Sequence, residues 1–310
     1  MNIFKRVLGV GYKFLTQSDY RVKLLKNHGL YRYTSDEKFL KKVYRAYMGR
    51  ELDLENPLSY TEKLQWLKLY DRKPIYTQMV DKYEVKKLVA ESIGEEYIIP
   101  TLGIFDSFDE IDFDALPDQF VLKCTHDSGG LVICKDKSKL DMEEARKKLT
   151  KFLKRKYYHI WREWPYKNVK PRIIAEKYME DKKTSELRDY KFFCFGGEAK
   201  LIFIATDRQI EGEETKFDFF DMEYNHLPFT NGHPNAKVAP EKPECFDEMR
   251  ELAEKLSDGI PHVRVDFYEV DGKVYFGELT FSHWSGIVPF EPEEWDYKIG
   301  EWITLPQKQE

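Results

Sequence analysis

The sequence predicts a mixed α+β fold, and three observations predict it. Two segments, DYKFFCFGGEAKLIFIATDR and VRVDFYEVDGKVYFGELTF, run as strands into and out of Gly-Gly and Asp-Gly turns and read as antiparallel hairpins. Helical patterns fall around them without steady strand–helix–strand alternation. No internal repeat or low-complexity linker interrupts the chain, and 310 residues suffice for one large domain or two to three lobes with a substantial core.

The elements follow in order. Residues 35–50 read as a helix with Ser35 as its N-cap. Ser59 with Glu62 forms a capping box ahead of an apolar stripe, Leu64, Trp66, Leu67 and Leu69, with Trp66 and Tyr70 as core residues. DKYEVKKLVAES is a helix that begins near Asp81 and ends at Gly94. EEYIIP and LGIF read as short strands, followed by the acidic loop FDSFDEIDFDALPD. FVLKC is a strand running into the glycine-rich loop THDSGG, and LVICKD returns. MEEARKKLTKFLKRKYY is a helix, and PRIIAEKYM is a buried strand leading into a connection. After the hairpin around Gly196-Gly197, the polar span 221–244 reads as a loop or lid. PECFDEMRELAEKLSDG is a helix ended by Gly259, and the second hairpin follows it.

Bulk properties exclude several classes. No run of about 18 apolar residues exists, so no segment reads as membrane-spanning. The N-terminal MNIFKRVLGVGYKFL is broken by charge and Gly and lacks a small-residue cleavage site, so a cytoplasmic protein is expected. Cys124, Cys134, Cys194 and Cys245 are scattered, with no C-x-x-C, which argues against zinc and against a disulfide scaffold. Net charge is −5, yet residues 1–50 carry twelve Lys and Arg against three Asp and Glu. Such a basic arm can rest on the anionic inner face of a membrane, meet an anionic substrate, or form a solvated helical face. Nucleic acid is not an expected partner, because the chain as a whole is acidic and the arm has no recognised binding module.

The second hairpin carries the chemistry. Alternation puts Arg264, Asp266 and Tyr268 on one face of its first strand, opposite Val263, Val265 and Phe267. A two-residue turn at Asp271-Gly272 would set Glu278 against Val265. A three-residue loop, Asp271 to Lys273, would set Glu278 opposite Asp266 and stack the valines and Phe267 on Leu279 and Phe281. The second register gathers apolar and polar residues on separate faces and is the one expected. Two adjacent carboxylates repel unless a cation intervenes, and hard oxygen ligands suit Mg2+ shared with phosphates. Arg264 on the same face can hold a phosphate or a developing anion. A half-exposed hairpin with a solvated Glu and a structural Asp–Arg pair is the alternative.

Phosphate-binding features lie upstream. Neither a Walker A sequence nor G-x-G-x-x-G is present. Lys123 ends an apolar strand just before THDSGG, where Ser128 and the Gly129 and Gly130 backbone N–H groups can close over phosphate oxygens. Lys82, at a helix start, is a second candidate cation. In IIAEKYM the extended backbone after the strand can meet an adenine edge. Glu176 ends an apolar strand there and needs a partner, or ribose hydroxyls, to be stable.

Taken in order, these pieces resemble the ATP-grasp superfamily over about residues 78–290. The residues concerned are Asp81-Lys82, Lys123 with its loop, Ile174-Ala-Glu-Lys-Tyr-Met179, Asp189 in DYKFF, Arg264-Val-Asp266 and Glu278-Leu-Thr280. The stretches NPLSYTEKLQWLKLYDR, FVLKCTHDSGG and FEPEEWDYKIGEW resemble the TupA-like branch, which is associated with teichuronopeptide and other bacterial cell-surface polysaccharide synthesis. The resemblance implies an ATP-grasp fold of two α+β lobes gripping the nucleotide, with ATP and Mg2+ as cofactors. It implies an N-terminal, mainly helical region over 1–77 and an ATP-grasp domain over 78–305, with a small lobe at about 120–175 and a large lobe at about 176–300. It places Lys82 and Lys123 on ATP phosphates, the backbone of Lys177, Tyr178 and Met179 on adenine with Glu176 nearby, and Asp189 on the ribose. Asp266 and Glu278 would hold Mg2+, with Thr280 standing where the family commonly has Asn. Arg264 would steady the transferred phosphoryl group or the acyl phosphate. His283, in the His-Trp-Ser-Gly loop that replaces the usual small residues, would join it in catalysis.

The implied reaction is ligation of a carboxylate to an amine through an acyl phosphate. The partners would be an amino acid or peptide and a sugar acid or lipid-linked glycan. A sugar kinase using the same site, and a glycosyltransferase using the D-x-D at Asp112-Phe-Asp114, are the alternatives. Turn and capping roles suit that acidic loop better.

Overall fold

The computed structural model describes residues 13–183, 187–207, 212 and 214–308. Residues 1–12 of the basic arm lie outside the described residues. No described helix is long and apolar enough to cross a membrane.

Helices α1 (Ser18–Asn27), α2 (Asp36–Met48) and α3 (Tyr60–Tyr70) come first. The capping box forms: the Ser59 side chain accepts from Glu62 N–H, and the Glu62 carboxylate accepts the Ser59 N–H at 3.1 Å. Ser35 occupies the N-cap of α2 but makes no side-chain cap bond. The Asp36 carboxylate beside it takes Arg72 at 2.8 Å and the Tyr158 hydroxyl at 2.6 Å. α4 (Ile75–Val80) leads to α5 (Glu84–Ile93), which starts behind Asp81, whose Oδ1 accepts the Tyr83 N–H at 2.9 Å.

EEYIIP is not a strand. Gly94, at φ +122°, breaks α5, and Glu95–Tyr97 close one 3₁₀ turn with the Ile98 N–H donated to Glu95 O. This segment never had the polar–apolar alternation a strand needs.

Two sheets follow. The first combines β1 (Thr101–Phe105), β2 (Phe120–Cys124), β3 (Leu131–Cys134) and β4 (Ile173–Lys177) in the antiparallel order β1-β4-β2-β3. It therefore takes in Thr101–Phe105, N-terminal to the 120–175 span expected for the small lobe. Phe120, Leu122, Ile173 and Ala175 point into α6 (Met142–Leu153), against Ala145 and Leu149. Alternation leaves Val121, Lys123 and Glu176 on the other face. A short helix, α7 (Tyr158–Trp161), precedes β4.

The rest of the chain supplies β5 (Asp189–Phe195), β6 (Glu198–Thr206), β7 (Lys216–Phe220), β8 (Thr230–Asn231), α8 (Phe246–Leu256), β9 (Val263–Val270), β10 (Lys273–Thr280), β11 (Phe290–Glu291) and α9 (Glu294–Glu301). The larger sheet has the order β10-β9-β5-β6-β7. Every residue of β5 is buried, because both faces are covered. On one side Phe192, Ile202, Val265 and Phe267 pack with Phe246 and Met249 of α8 and Val85 and Val89 of α5. On the other, Phe193, Phe195 and Phe203 pack with Phe39 and Leu40 of α2, Leu64 and Trp66 of α3, and Trp295 and Ile299 of α9. The helical region thus shares a core with the larger sheet. The 221–244 span is tied down rather than free: Phe229 is buried and β8 pairs with β11.

The second hairpin reaches the expected pairing by another route. Its turn has two residues, Asp271 and Gly272, both at positive φ, and Lys273 pairs with Val270. The register then shifts by one at a bulge between Phe276 and Glu278, where Gly277 is extra, so that Glu278 stands opposite Asp266 and Thr280 opposite Arg264. The bulge also turns Val274 and Phe276 onto the apolar face with Leu279. A straight ladder from either turn would have left one set on the wrong side. Gly277 allows this close approach: a Cβ there would lie 3.0 Å from Asp266 O.

Gly300 marks where α9 crosses the start of α3, with a Cβ position only 2.4 Å from Leu58 O and 2.7 Å from Tyr60 N. Gly300→Ala is therefore expected to cost about 1–3 kcal/mol in urea unfolding. An unchanged midpoint would mean that this crossing is loose.

Candidate active site

The bare face of the smaller sheet looks across a cavity of about 430 Å³ at the polar end of the larger one. Val121, Leu131, Ile133, Met179, Leu187 and Tyr268 supply its apolar walls, and Lys123, Glu176 and Asp189 its polar groups. Lys177 and Tyr178 line the same cavity, which thus brings together the hinge residues, the strand lysine and Asp189.

Glu176 is 5% exposed and has its partners. Lys123 Nζ lies 2.7 Å from Oε2, and Lys86 grips Oε1. Lys86 is itself anchored on Ile99 O at 2.8 Å and Thr101 Oγ1 at 2.9 Å. Burial alone would raise the Glu176 pKa, but Lys123 and Lys86 outweigh it and hold the carboxyl below the usual glutamate range. Both carboxylate oxygens are engaged by lysines, so Glu176 orients Lys123 instead of standing free for ribose.

The glycine loop is built differently from expectation. Gly129 N–H donates to Asp127 Oδ1 at 2.7 Å and is already committed. Gly129 and Gly130 are needed for close packing: Cβ atoms there would meet Phe152 at 2.5 Å and Cys124 Sγ at 2.4 Å. Ser128 is exposed at the loop tip. Lys82 Nζ donates to Asp127 O at 3.1 Å and stands 3.8 Å from Glu278 Oε2, linking the loop to β10.

At the far end of the cleft lies a charge network on β5, β9 and β10. Lys191 pairs with Asp189 at 2.9 Å and with Asp266 Oδ2. Arg264 donates to both Asp266 oxygens at 2.7 Å, to Thr280 Oγ1 at 3.0 Å, and to Glu278 Oε1 at 3.4 Å. Its remaining nitrogen donates to His283 Nδ1 at 2.9 Å, which leaves the His283 Nε2–H for Asn231 Oδ1, also at 2.9 Å. Burial, with Arg264, His262 and Lys191 nearby, pushes the His283 pKa well down. His283 is thus a neutral prop behind Arg264, packed on Phe193, and does not face the cleft as expected. The Glu278 side chain, 38% exposed, is the open one of the two carboxylates. Burial pushes its pKa up, but Lys82, Lys191, Arg264 and Lys123 overcome that and hold it at about 2.

A family model described as TupA-like ATPgrasp matches residues 62–304. The chain belongs to this family. Solved structures similar to the TupA-like chain include D-alanine–D-alanine ligase from Helicobacter pylori, at 15% identity and a TM-score of 0.41, covering 79% of this chain and 69% of that one. The ATP-grasp ligase PsnB with its minimal precursor follows at 12% identity, TM-score 0.41, covering 72% and 59%. VanG D-Ala:D-Ser ligase from Enterococcus faecalis gives 12%, 0.37, 73% and 55%. The TupA-like chain spans little more than half the length of most of these solved chains. No curated protein matches it.

The Mg2+ that the ATP-grasp fold implies can be tested against these residues. Among the described residues no group of three His, Cys, Asp or Glu side chains is placed to hold a metal ion. Asp266, Glu278 and Thr280 are hard oxygen donors on adjacent strands, and their chemistry suits Mg2+. The repulsion expected between the two carboxylates is, however, already relieved by Lys191 and Arg264. Glu278 is the ligand free to turn to a metal, and Asp266 would have to release a cation to join it.

Lys191 and Lys86 escaped sequence reasoning. Lys191 follows Asp189 by two residues on a strand and so shares its face, while Lys86 lies in the first turn of α5, four residues after Lys82. The strand spacing carried the signal.

Proposed function

We propose that this TupA-like ATP-grasp protein is an ATP-dependent carboxylate–amine ligase. It would join an amino acid or peptide to a sugar acid in bacterial surface polysaccharide synthesis. The observation that carries the reading is the convergence of Lys82, Lys191 and Arg264 on Glu278 and Asp266, beside Asp189 and Lys123 of an apolar-walled cavity. Three cations there, with Lys123 beside them, suit a triphosphate whose charge must be balanced while it transfers.

In this reading Val121, Ile133, Met179 and Tyr268 hold the base, Asp189 takes the ribose, and Lys123, steadied by Glu176, takes phosphate. Arg264, propped by His283, faces the carboxylate being activated. Glu278, with Asp266 and Thr280 behind it, would hold Mg2+, which supplies charge neutralisation on the phosphates when bound. The Asp112-Phe-Asp114 pair does not favour a glycosyltransferase, since Asp112 Oδ1 is spent on the Asp114 N–H at 3.0 Å. The exposed Leu15, Leu30 and Tyr33 among basic residues suit a peripheral contact with an anionic membrane, which failure to sediment with anionic vesicles would refute.

The test is a thermal-shift comparison of a non-hydrolysable ATP analogue with UDP-sugars, with and without Mg2+, followed by ADP release on adding uronic acids with amino acids. An Mg2+-dependent ATP shift and amine-dependent ADP release are expected. A shift with UDP-sugar alone would replace the ligase by a transferase, and ADP release on sugars without amine would replace it by a kinase.

A further inference from the structure

One exposed aromatic beside the charge network has no role in the scheme above. Trp284 follows His283 in the loop after β10 and is 41% exposed. It is the only exposed tryptophan among the described residues. A single exposed apolar side chain needs no explanation. The backbone beneath this one does. Trp284 sits at φ +48° and ψ +27°, and Ser285 at φ +54° and ψ +18°. Consecutive non-glycine residues in the left-handed region, one of them a bulky aromatic, are costly and persist only where their surroundings over-determine them. Here the Ser285 carbonyl accepts from Gln65 Nε2 at 2.9 Å and Lys68 Nζ at 2.7 Å, and the Ser285 hydroxyl donates to the buried Glu163. His283, on the other side of Trp284, is held by Arg264 and Asn231.

The indole is backed on several sides. It lies at 24° to the Phe217 ring with centroids 6.1 Å apart, and it tilts against His233 at 5.9 Å and His283 at 5.8 Å. Its pyrrole edge rests on Gly232, where a Cβ would stand 3.1 Å from Nε1 and 3.3 Å from Cε2. These contacts put the ring on the same face of the larger sheet as the charge network. Phe217 packs on Phe203 at 4.7 Å, and the Phe203 centroid lies 5.7 Å from the Arg264 guanidinium carbon and 6.0 Å from Lys191 Nζ. Ala205, the cross-strand partner of Phe217, lines the cleft cavity. Trp284 thus stands at the margin of that cavity, separated from Arg264 by the His283 ring.

We propose that the exposed face of Trp284 is a stacking platform for a pyranose ring of the sugar substrate. This rests on the ligase reading and adds a residue that selects the sugar. The face of an aromatic ring is electron-rich, and a pyranose presents to it a patch of C–H groups while its hydroxyls stay in water at the ring edge. A rigid, half-wet platform suits such a ligand. The strained turn fixes the indole before the sugar arrives, so little side-chain freedom is lost on binding. With the acid group turned toward Arg264, the body of the glycan runs out along the sheet face over Trp284.

The chain has six tryptophans, so each indole N–H can be followed in protein labelled with ¹⁵N-tryptophan. The signal missing from Trp284→Tyr belongs to Trp284. With Mg2+ and a non-hydrolysable ATP analogue present, methyl glucuronide, methyl galacturonide and short uronic acid oligomers are expected to shift that signal, and free amino acids are not. In turnover, Trp284→Ala is expected to raise KM for the sugar about tenfold and leave KM for ATP unchanged, with Trp284→Tyr restoring most of the loss. A tryptophan that merely covers Phe217 would lower the urea midpoint of Trp284→Ala without moving the sugar KM, and that result overturns the platform. No shift with any sugar in the wild type, where folding is not in question, overturns it too. A shift with amino acids instead of sugars overturns the sugar assignment. In each of these cases, ADP release on a sugar acid with an amine leaves the ligase reading intact. No Mg2+-dependent ATP shift and no ADP release with any substrate pair overturn the ligase reading itself, and the platform with it.

Discussion

Asp266→Ala is expected to lower the unfolding free energy by about 3 kcal/mol, the lower end of what removing one member of a buried ion network costs. Asp266 has no exposed surface and is bonded by Lys191 and by both arms of the Arg264 fork. Its removal leaves two buried cations with poorer partners, Asp189 for Lys191 and the more distant Glu278 for Arg264. Replacing the carboxylate therefore costs far more than the lost contacts, because the desolvation of the remaining charges is no longer offset. Urea unfolding at neutral pH measures the effect. A loss below about 1 kcal/mol would mean that the network is wet and behaves as a surface pair.

Glu278→Gln should do the opposite, sparing the fold and removing the activity. Its side chain is more than a third exposed, so water screens its attraction to Lys82 and Arg264, and a stability loss of no more than about 1 kcal/mol is expected. Turnover should fall by about 10²–10³-fold, as when one preorganised electrostatic group is deleted. The pH dependence separates the two effects. The folded-state pKa of about 2 lies below that of an unfolded glutamate, so the ionised carboxylate stabilises the fold above about pH 4.5 and that gain is lost as pH falls toward 2. The stability gap between wild type and Glu278→Gln should narrow across that window. A variant that keeps wild-type turnover would remove Glu278 from the phosphate site.

Much of this arrangement was legible because period-2 alternation survives in the sequence. Phe120, Leu122 and Cys124 against Val121 and Lys123 show which way the strand lysine points, and the Ser59–Glu62 box locates α3. The second hairpin shows the limit. Its faces could be read, but its turn could not, since one register is produced equally by a three-residue loop or by a two-residue turn followed by a bulge. Only the close approach of Gly277 to the Asp266 carbonyl distinguishes them. His283 was misplaced for a related reason: a histidine next to the metal-candidate strand reads as reactive, while the Asn231 and Arg264 that occupy its two nitrogens lie far off in sequence. Glu163 and Lys68 carry no local pattern at all and become a pair only through Ser285.

The core that α2 and α3 share with the larger sheet also bears on modularity. A nucleotide-binding unit cut out at residue 78 would strip α2 and α3 from the sheet face that carries Phe193, Phe195 and Phe203 and unpin the turn that carries Ser285. The helical region is therefore no detachable accessory. Changes in α3 alter how the reaction loop is held, and exchanging these helices between relatives would transplant part of the active-site scaffold along with them.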